Sequence, residues 1–296
     1  MAEITAKIVK DLREATGCGM MDCKKALVEC DGDMDKAAEY LREKGLAKAA
    51  KKASRIAAEG IVKLYIEGNT GVILEVNAET DFVAKNADFQ AFVENVAMVI
   101  AKENPADVED LLTKAYPEGG TVSDALTNKI AVIGENMTIR RFERMEGTIA
   151  TYNHDNGRIG VMTLIDAPAN DEVAAMGKNL CMHIAMYAPK YIAQADVPAE
   201  VVAHEQEVLK TQAMNEGKPE AIAEKMVQGR IRKFFSEVCL LDQAYIMDED
   251  ITGAKYIDST VAGAKVLKFV RYEKGEGIEK REDTFAEEIA SMLKYL

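Results

Sequence analysis

The amino-acid sequence predicts an α+β protein, with a helical N-terminal region followed by two related subdomains of mixed helix and sheet. Three features lead to this prediction: helical spacing of apolar residues near the N-terminus, a strand–turn–strand–helix pattern that occurs twice, and a long helical insertion in the second copy. The 296 residues are enough for two or three domains. Since 48% of them are hydrophobic, the chain can form packed cores, and wholesale disorder is excluded.

The first predicted unit is a compact bundle of three short helices in residues 3 to about 44. Its first helix carries apolar side chains at helical spacing, at Ile4, Ile8 and Leu12. Asp22 is expected to cap a second helix that runs through Leu27, and Asp33 is expected to cap a third that runs through Leu41.

A basic, alanine-rich stretch follows this bundle at residues 44–55. Five lysine and arginine residues are interspersed with alanines there, which is typical of a solvated segment with a helical tendency. We interpret the stretch as a linker. The alternative interpretation is a contact with a phosphate backbone.

An internal repeat occupies the middle of the chain. In the first copy, two stretches of alternating apolar residues flank a turn at 68–71 and predict a β-hairpin. The helix that follows has an apolar face formed by Phe89, Phe92, Val93, Val96 and Ile100. The second copy has a hairpin with a turn near 155–157, and its helix has an apolar face formed by Val173, Met176, Leu180 and Ile184.

A third strand completes each copy of the repeat. One is expected at residues 137–143 and the other at 265–272, and each leads into a short segment that contains Glu-Gly. We therefore predict two duplicated α/β subdomains, each with a small three-stranded antiparallel sheet backed by helices.

A helical hairpin is predicted to interrupt the second copy. Its arms span about 199–215 and 220–241, joined by a turn at 216–219. The second arm is expected to face inward through Ile222, Met226, Ile231, Phe234 and Val238. Because such a coiled-coil arm does not bury both apolar faces alone, we expect it to pack on a partner or to form a homodimer. After residue 277, a final amphipathic helix is predicted to carry Phe285, Ile289, Met292 and Leu293 on one face.

Charge and composition exclude several classes of protein. With 37 basic and 50 acidic residues, the formal net charge of −13 argues against a protein that coats nucleic acid or an anionic membrane. Five cysteines without a C-x-x-C pair indicate reduced thiols rather than a disulfide framework or a zinc site. The N-terminal residues lack the apolar core of a signal peptide, and no apolar run is long enough to span a bilayer. We expect a cytoplasmic protein.

The sequence offers little for covalent chemistry. None of its three histidines, His154, His183 and His204, has the spacing of a metal site, and His183 is expected to be a satisfied core residue. Phosphate-binding loops, nucleophile elbows and dinucleotide fingerprints are all missing from the sequence. We therefore expect no enzymatic activity, no metal site and no cofactor.

The loop between strand and helix differs between the two copies. In the first copy it presents Asp81 beside Phe82 and Val83, whereas the corresponding segment 166–170 of the second copy contains no aromatic residue. One interpretation is that Asp81 caps a helical turn and Phe82 folds into its own core. The other is that the exposed aromatic side chain and its neighbouring carboxylate form a protein-interaction tip. The asymmetry between the copies favours the second interpretation.

Two long motifs resemble those of the bacterial elongation factor Ts family. One is LRxxTGxGMMDCKKAL at residues 12–27, and the other is EVNAETDFVAK at residues 75–85. Shorter similarities occur at 133–136, 222–227 and 270–280. Proteins of this family are guanine nucleotide exchange factors for elongation factor Tu.

The resemblance implies an N-terminal ubiquitin-associated-like bundle, two related core subdomains, a coiled-coil hairpin and a C-terminal helix. This organisation agrees with the one that the pattern itself predicts. The expected ranges are 1–55 for the bundle and basic linker, 56–145 for the first core subdomain, 146–190 with 246–277 for the second, 191–245 for the hairpin and 278–296 for the C-terminal helix.

The resemblance also implies which residues contact elongation factor Tu. The loop of Thr80, Asp81, Phe82 and Val83 would enter the GTPase domain near the magnesium ion and phosphates of the nucleotide, with Phe82 as a wedge between helices and Asp81 perturbing the magnesium environment. The supporting contacts would come from Ile133 and Gly134 beside the wedge, from Met20 and Met21 in the bundle, and from His154 towards a different domain of the partner.

The implied function is nucleotide exchange in translation elongation, without covalent chemistry, cofactor, membrane or direct nucleic-acid contact. Two alternatives are an adaptor that binds ubiquitin-like partners through the bundle and an RNA-binding translation factor that uses residues 44–55. A hydrolase with Asp81 as base is a third, but the sequence offers no partner acid or nucleophile for it.

Overall fold

The N-terminal region is a bundle of three helices, as predicted. The computed structural model describes residues 4–16 and 18–279, and the bundle comprises α1 (Ala6–Thr16), α2 (Met20–Glu29) and α3 (Met34–Lys52). The helices share a small core, formed by Val9, Leu12, Cys23, Ala26, Leu27, Ala37 and Leu41. Apolar burial of this limited size gives a bundle only modest stability by itself.

The sequence predicts the residue that caps α3 correctly, but not the one that caps α2. Asp33 caps α3 as expected, since its carboxylate accepts from the backbone N–H groups of Asp35 and Lys36, each at 3.1 Å. The prediction that Asp22 caps α2 is wrong, because the helix begins at Met20 with Gly19 at the cap position. Asp22 instead lies in the first turn, where a carboxylate is favoured by the helix dipole.

The third helix is longer than predicted. It continues past Leu41 through the alanine-rich basic stretch and ends at Lys52. Alanine and lysine are strong helix formers, and the lysines in the last turn complement the partial negative charge at the C-terminal end. The first part of the expected linker is therefore regular helix.

The first repeat contains a three-stranded sheet in the order β1-β2-β3. Its strands are β1 (Glu59–Glu67), β2 (Thr70–Ala78) and β3 (Met137–Glu146), and its helices are α4 (Asp81–Ala84), α5 (Ala87–Glu103), α6 (Val108–Thr113) and α7 (Val122–Ile133). Every residue that the sequence assigns to the apolar face of α5 is buried. The predicted hairpin, helix and third strand are thus confirmed.

The second repeat contains a sheet in the order β4-β5-β8. Its strands are β4 (Thr148–His154), β5 (Ile159–Asp166) and β8 (Lys265–Glu273), and α8 (Asp171–Tyr187) follows the hairpin. The antiparallel register pairs Thr148 with Ile165 and His154 with Ile159. The predicted apolar face of α8 is buried in the core of this sheet. Three short elements complete the subdomain, namely β6 (Ala244–Tyr245), β7 (Asp248–Thr252) and α11 (Gly253–Thr260).

The inserted hairpin consists of α9 (Ala199–Asn215) and α10 (Glu220–Val238). The prediction of its turn is confirmed, and that of its inward face is wrong at Ile222, which is 49% exposed. Of the other four expected residues, Ile231 is buried and Met226, Phe234 and Val238 are half-buried. The buried positions of the two arms are Ala213, Ala223, Val227 and Ile231. The seam therefore combines small alanines with larger apolar residues.

The residues divide into two compact units by their contacts. Of the described residues, one unit comprises those within 4–63, 74–142 and 273–279, and the other comprises 64–73 and 143–272. The finer domain ranges expected from the sequence stay a prediction. The predicted C-terminal helix at 278–296 lies outside the described part of the chain from residue 280 onward. Within residues 4–16 and 18–279, no helix combines the length and apolarity needed to cross a membrane.

Candidate partner-binding site

The loop after β2 forms a single helical turn that presents Phe82 to solvent. This turn is α4, and the side chain of Phe82 is 79% exposed, the highest value of any large hydrophobic side chain in the described residues. Its neighbour Val83 is only 6% exposed and packs inward. The interpretation in which Phe82 folds into its own core is therefore wrong.

Asp81 is the first residue of the turn and remains ionised. Thr80, not Asp81, occupies the cap position. The Nζ atom of Lys85 lies 2.6 Å from Oδ2 of Asp81, one helical turn away, and this hydrogen bond lowers the pKa of the Asp81 carboxyl below its usual value. The turn consequently carries an ionised carboxylate, paired with Lys85, next to its exposed aromatic ring.

Thr80 is held by the carboxylate of Glu135. Its backbone N–H donates to Oε2 of Glu135 at 3.0 Å, and its hydroxyl donates to Oε1 at 2.8 Å. On the other side of α4, Asn86 caps α5 by accepting from the N–H groups of Asp88 and Phe89. The exposed turn is thus anchored at both ends by hydrogen bonds.

The carboxylate of Glu79 bonds to the segment that contains Glu135. Oε1 of Glu79 accepts from the backbone N–H of Asn136 at 2.6 Å, and Nη1 of Arg55 lies 3.4 Å from the same oxygen. The side chain of Asn136 donates to the carbonyl oxygen of Arg55 at 2.8 Å. Three chain segments, those around residues 55, 79 and 136, therefore meet at the base of the loop.

Ile133 and Gly134 immediately precede Glu135, the residue that anchors the Phe82 turn. Helix α7 ends at Ile133, and Gly134 caps it in the left-handed conformation with φ of +90°, where a side chain would be disfavoured. The next residue is Glu135, which bonds Thr80. Half-buried Ile133 thus lies within two residues of the group that anchors the Phe82 turn.

The remaining predicted contact residues lie on other elements. Met20 and Met21 occupy the first turn of α2 and are 47% and 64% exposed, so neither belongs to the bundle core. His154 ends β4 in the other compact unit, where it is half-buried and its Nδ1 lies 3.1 Å from the hydroxyl of Tyr152.

Comparison with known protein families agrees with the resemblance of the motifs. The sequence model of the family described as Elongation factor TS matches residues 79–276, which is more than half of the chain. The chain belongs to the elongation factor TS family. This family acts in translation elongation, as nucleotide exchange factors for elongation factor Tu and not as enzymes of covalent chemistry.

Sequence reasoning missed the residues that support the loop. Glu79, Glu135 and Asn136 fall within segments that resemble the elongation factor TS family, yet their types and spacing suggest no role. Local side-chain bonds to nearby backbone groups can be expected for Ser, Thr, Asn and Asp, but these glutamates bond a segment distant in sequence, so no local signal identifies them. The bond between Glu135 and Thr80, across 55 residues of sequence, follows only from the sheet.

The exposed groups of the site are of the kind that bind a partner. In the described residues, no cluster of three or more His, Cys, Asp or Glu side chains is arranged to hold a metal ion. The exposed surface of the loop combines one aromatic ring and one carboxylate paired with Lys85. Such a surface suits docking into a pocket of a protein partner.

Proposed function

We propose that this chain accelerates the release of GDP from elongation factor Tu by inserting Phe82 into the GTPase domain. The observation that carries the proposal is the 79% exposure of Phe82 on a turn that hydrogen bonds anchor at both ends. An aromatic side chain left in water costs free energy that burial in a partner recovers, about 2 kcal/mol for a ring of this size.

The wedge acts on nucleotide affinity without forming or breaking a covalent bond. Mg²⁺ requires a nearly ideal octahedral shell and links the nucleotide phosphates to the switch segments of a GTPase. A side chain that displaces these elements weakens nucleotide binding. By linkage, the nucleotide weakens binding of the factor by the same ratio, so that GTP loading releases the factor for another cycle.

The other predicted residues have supporting roles in this proposal. Ile133 and Gly134 extend the contact beside Phe82, and Asp81 carries its charge towards the magnesium site. Met20 and Met21 grip the same GTPase domain through their exposed side chains, together with the predicted C-terminal helix. His154 belongs to a second surface that contacts a different domain of the partner.

The test is the rate at which fluorescent GDP leaves elongation factor Tu from a matched species, with catalytic amounts of this chain and excess unlabelled nucleotide. Wild type should accelerate release strongly, and Phe82→Ala should reduce the acceleration at least tenfold while remaining folded. Met247→Ala, which removes another exposed apolar side chain (58% exposed), is the matched control and should behave as wild type. Absence of acceleration by folded wild type would refute the proposal.

A further inference from the structure

Two carboxylates at the base of the loop form a reciprocal arrangement. Glu79 accepts from the backbone of Asn136, and Glu135 accepts from the backbone and hydroxyl of Thr80. Each of the two adjacent segments thus supplies a side chain to the backbone of the other. We call these four residues the Glu79–Glu135 brace.

The brace turns the polar groups of Thr80 away from solvent. Both its N–H and its hydroxyl donate to Glu135, and Val83 is packed inward. The polar groups of Thr80 are therefore engaged within the chain, whereas Phe82 points outward. Thr80 accordingly holds the loop rather than offering these groups to a partner.

The brace joins the two segments that carry Phe82 and Gly134 and ties both to the end of the bundle. Glu135 follows Gly134 directly, Thr80 precedes the Phe82 turn directly, and Asn136 donates to the carbonyl of Arg55 beyond the end of α3. Asn136 is 4% exposed, and the side chain of Glu79 is 19% exposed. Partly excluded water strengthens charge-assisted hydrogen bonds of this kind and makes them directional.

We propose that the Glu79–Glu135 brace positions Phe82 relative to Ile133 and Gly134, and that Thr80, Glu79 and Glu135 act as positioning residues in nucleotide exchange. The inference rests on the proposed function. A displacement of about 1 Å in a group that must fit its target can cost a factor of about 100 in rate. Loosening the brace should therefore lower the rate of GDP release even when the factor is saturating.

The decisive variants are Thr80→Val, which removes one donor at nearly constant shape, and Glu135→Gln, which replaces one acceptor oxygen by an amide. Each should lower the maximal rate of GDP release at saturating factor about tenfold. Thr80→Ser restores the hydroxyl and should recover most of the rate lost in Thr80→Val. Thr148→Val, which loses a hydroxyl bond of 2.7 Å to Ala167 in the other compact unit, should keep the wild-type rate.

A purely structural role predicts different results. Loss of folded protein would reduce the active fraction of every destabilised variant, Thr148→Val included, without changing the maximal rate per folded molecule. Positioning predicts a lower maximal rate per active molecule and no additional loss when Thr80→Val or Glu135→Gln is combined with Phe82→Ala, because the wedge is already gone.

Failure of the brace can be distinguished from failure of the proposed function. If Phe82→Ala keeps the wild-type rate, the proposed wedge is wrong and the brace has nothing to position. If Phe82→Ala loses activity while Thr80→Val and Glu135→Gln both keep the wild-type maximal rate, the brace is refuted and the wedge stands. Further losses of about tenfold on the Phe82→Ala background also refute positioning of Phe82.

Discussion

The carboxylate of Glu75 is completely buried in the first compact unit, and its Oε2 lies 2.6 Å from Nε of Arg141. Its other oxygen accepts from Nη1 of Arg140 at 3.0 Å and from the backbone N–H of Gly275 at 2.8 Å. Burial by itself raises the pKa of Glu75, but the hydrogen bonds from Gly275, Asn77 and the two arginines together lower it. The group therefore stays ionised and ties the turn after β8 to β2.

We expect Glu75→Gln to destabilise the fold by about 2–3 kcal/mol. Removing one partner of a buried ion pair leaves the other uncompensated, which costs about 3–5 kcal/mol when both are buried, and here the arginine side chains keep some water contact. Urea unfolding would measure the loss, with exposed Glu67→Gln as the control. A change below about 0.5 kcal/mol, as at ordinary surface positions, would contradict this view.

His183 should make stability depend on pH. It is fully buried, the N–H of Ile246 donates to its Nδ1 at 3.2 Å, and its Nε2 therefore donates to Oε1 of Gln243 at 2.9 Å. Burial lowers the pKa of His183, partly opposed by the bond to Gln243. The folded state thus keeps the ring neutral while the unfolded chain takes up a proton below about pH 6.5.

The free energy of unfolding should be highest above about pH 6.5 and should fall as the pH drops from there towards the lowered pKa of folded His183. The measurement is urea unfolding across this range. His183→Gln should lose most of this dependence, although it is less stable overall, whereas exposed His204→Gln should retain it. If the free energy of unfolding changes equally with pH in wild type and in His183→Gln, other groups cause the pH dependence.

Asp81→Ala should reduce nucleotide exchange less than Phe82→Ala does. A wedge mainly requires volume, and the charge of Asp81 is already partly neutralised by Lys85 at 2.6 Å. We expect a loss below tenfold for Asp81→Ala, an intermediate loss for Phe82→Leu and the largest loss for Phe82→Ala. The rate of GDP release at saturating factor measures the loss in each of the three variants. A larger loss in Asp81→Ala than in Phe82→Ala would show that the charge matters more than the volume of the wedge.

The helical hairpin should tolerate changes at Ile222 but not at Ala223. Ala223 is completely buried, so Ala223→Leu should force the arms apart and destabilise the chain by about 1–3 kcal/mol. Ile222 is 49% exposed, and Ile222→Ala should change stability by about 0.5 kcal/mol or less. Urea unfolding, followed by helix content, measures the loss of stability in both variants. A larger loss in Ile222→Ala than in Ala223→Leu would show that Ile222 lies on the inward face, as hydrophobicity predicts.

Periodicity was sufficient for the repeat and insufficient for the hairpin seam. The strands and the apolar faces of α5 and α8 follow from alternation and helical spacing, since their buried residues are also the large apolar ones. In α10 the buried positions 223, 227 and 231 also follow helical spacing, but one of them is alanine. A pattern that weighs residues by size selects Ile222 instead of Ala223, so the expected face is wrong at the start of the helix.

The orientation of the loop depends on contacts that local sequence does not contain. Adjacent Phe82 and Val83 are both apolar, and nothing in their order decides which one points outward. In the structure Val83 is packed inward and Phe82 outward, and Thr80 at the start of the turn bonds to a residue 55 positions away. Those bonds require β2 and the segment before β3 to lie side by side, which is a property of the assembled sheet.

The anchored turn at Phe82 has a kinetic consequence. Because the hydrogen bonds of Thr80 and Asn86 already order the chain on both sides of the ring, this part of the surface needs no folding step when it meets its target. Encounters with the correct orientation can then lead directly to a complex, and the observed association rate should rise linearly with concentration without reaching a plateau. Competing nucleotide should then control the cycle by changing how fast the complex dissociates, and not how fast it forms.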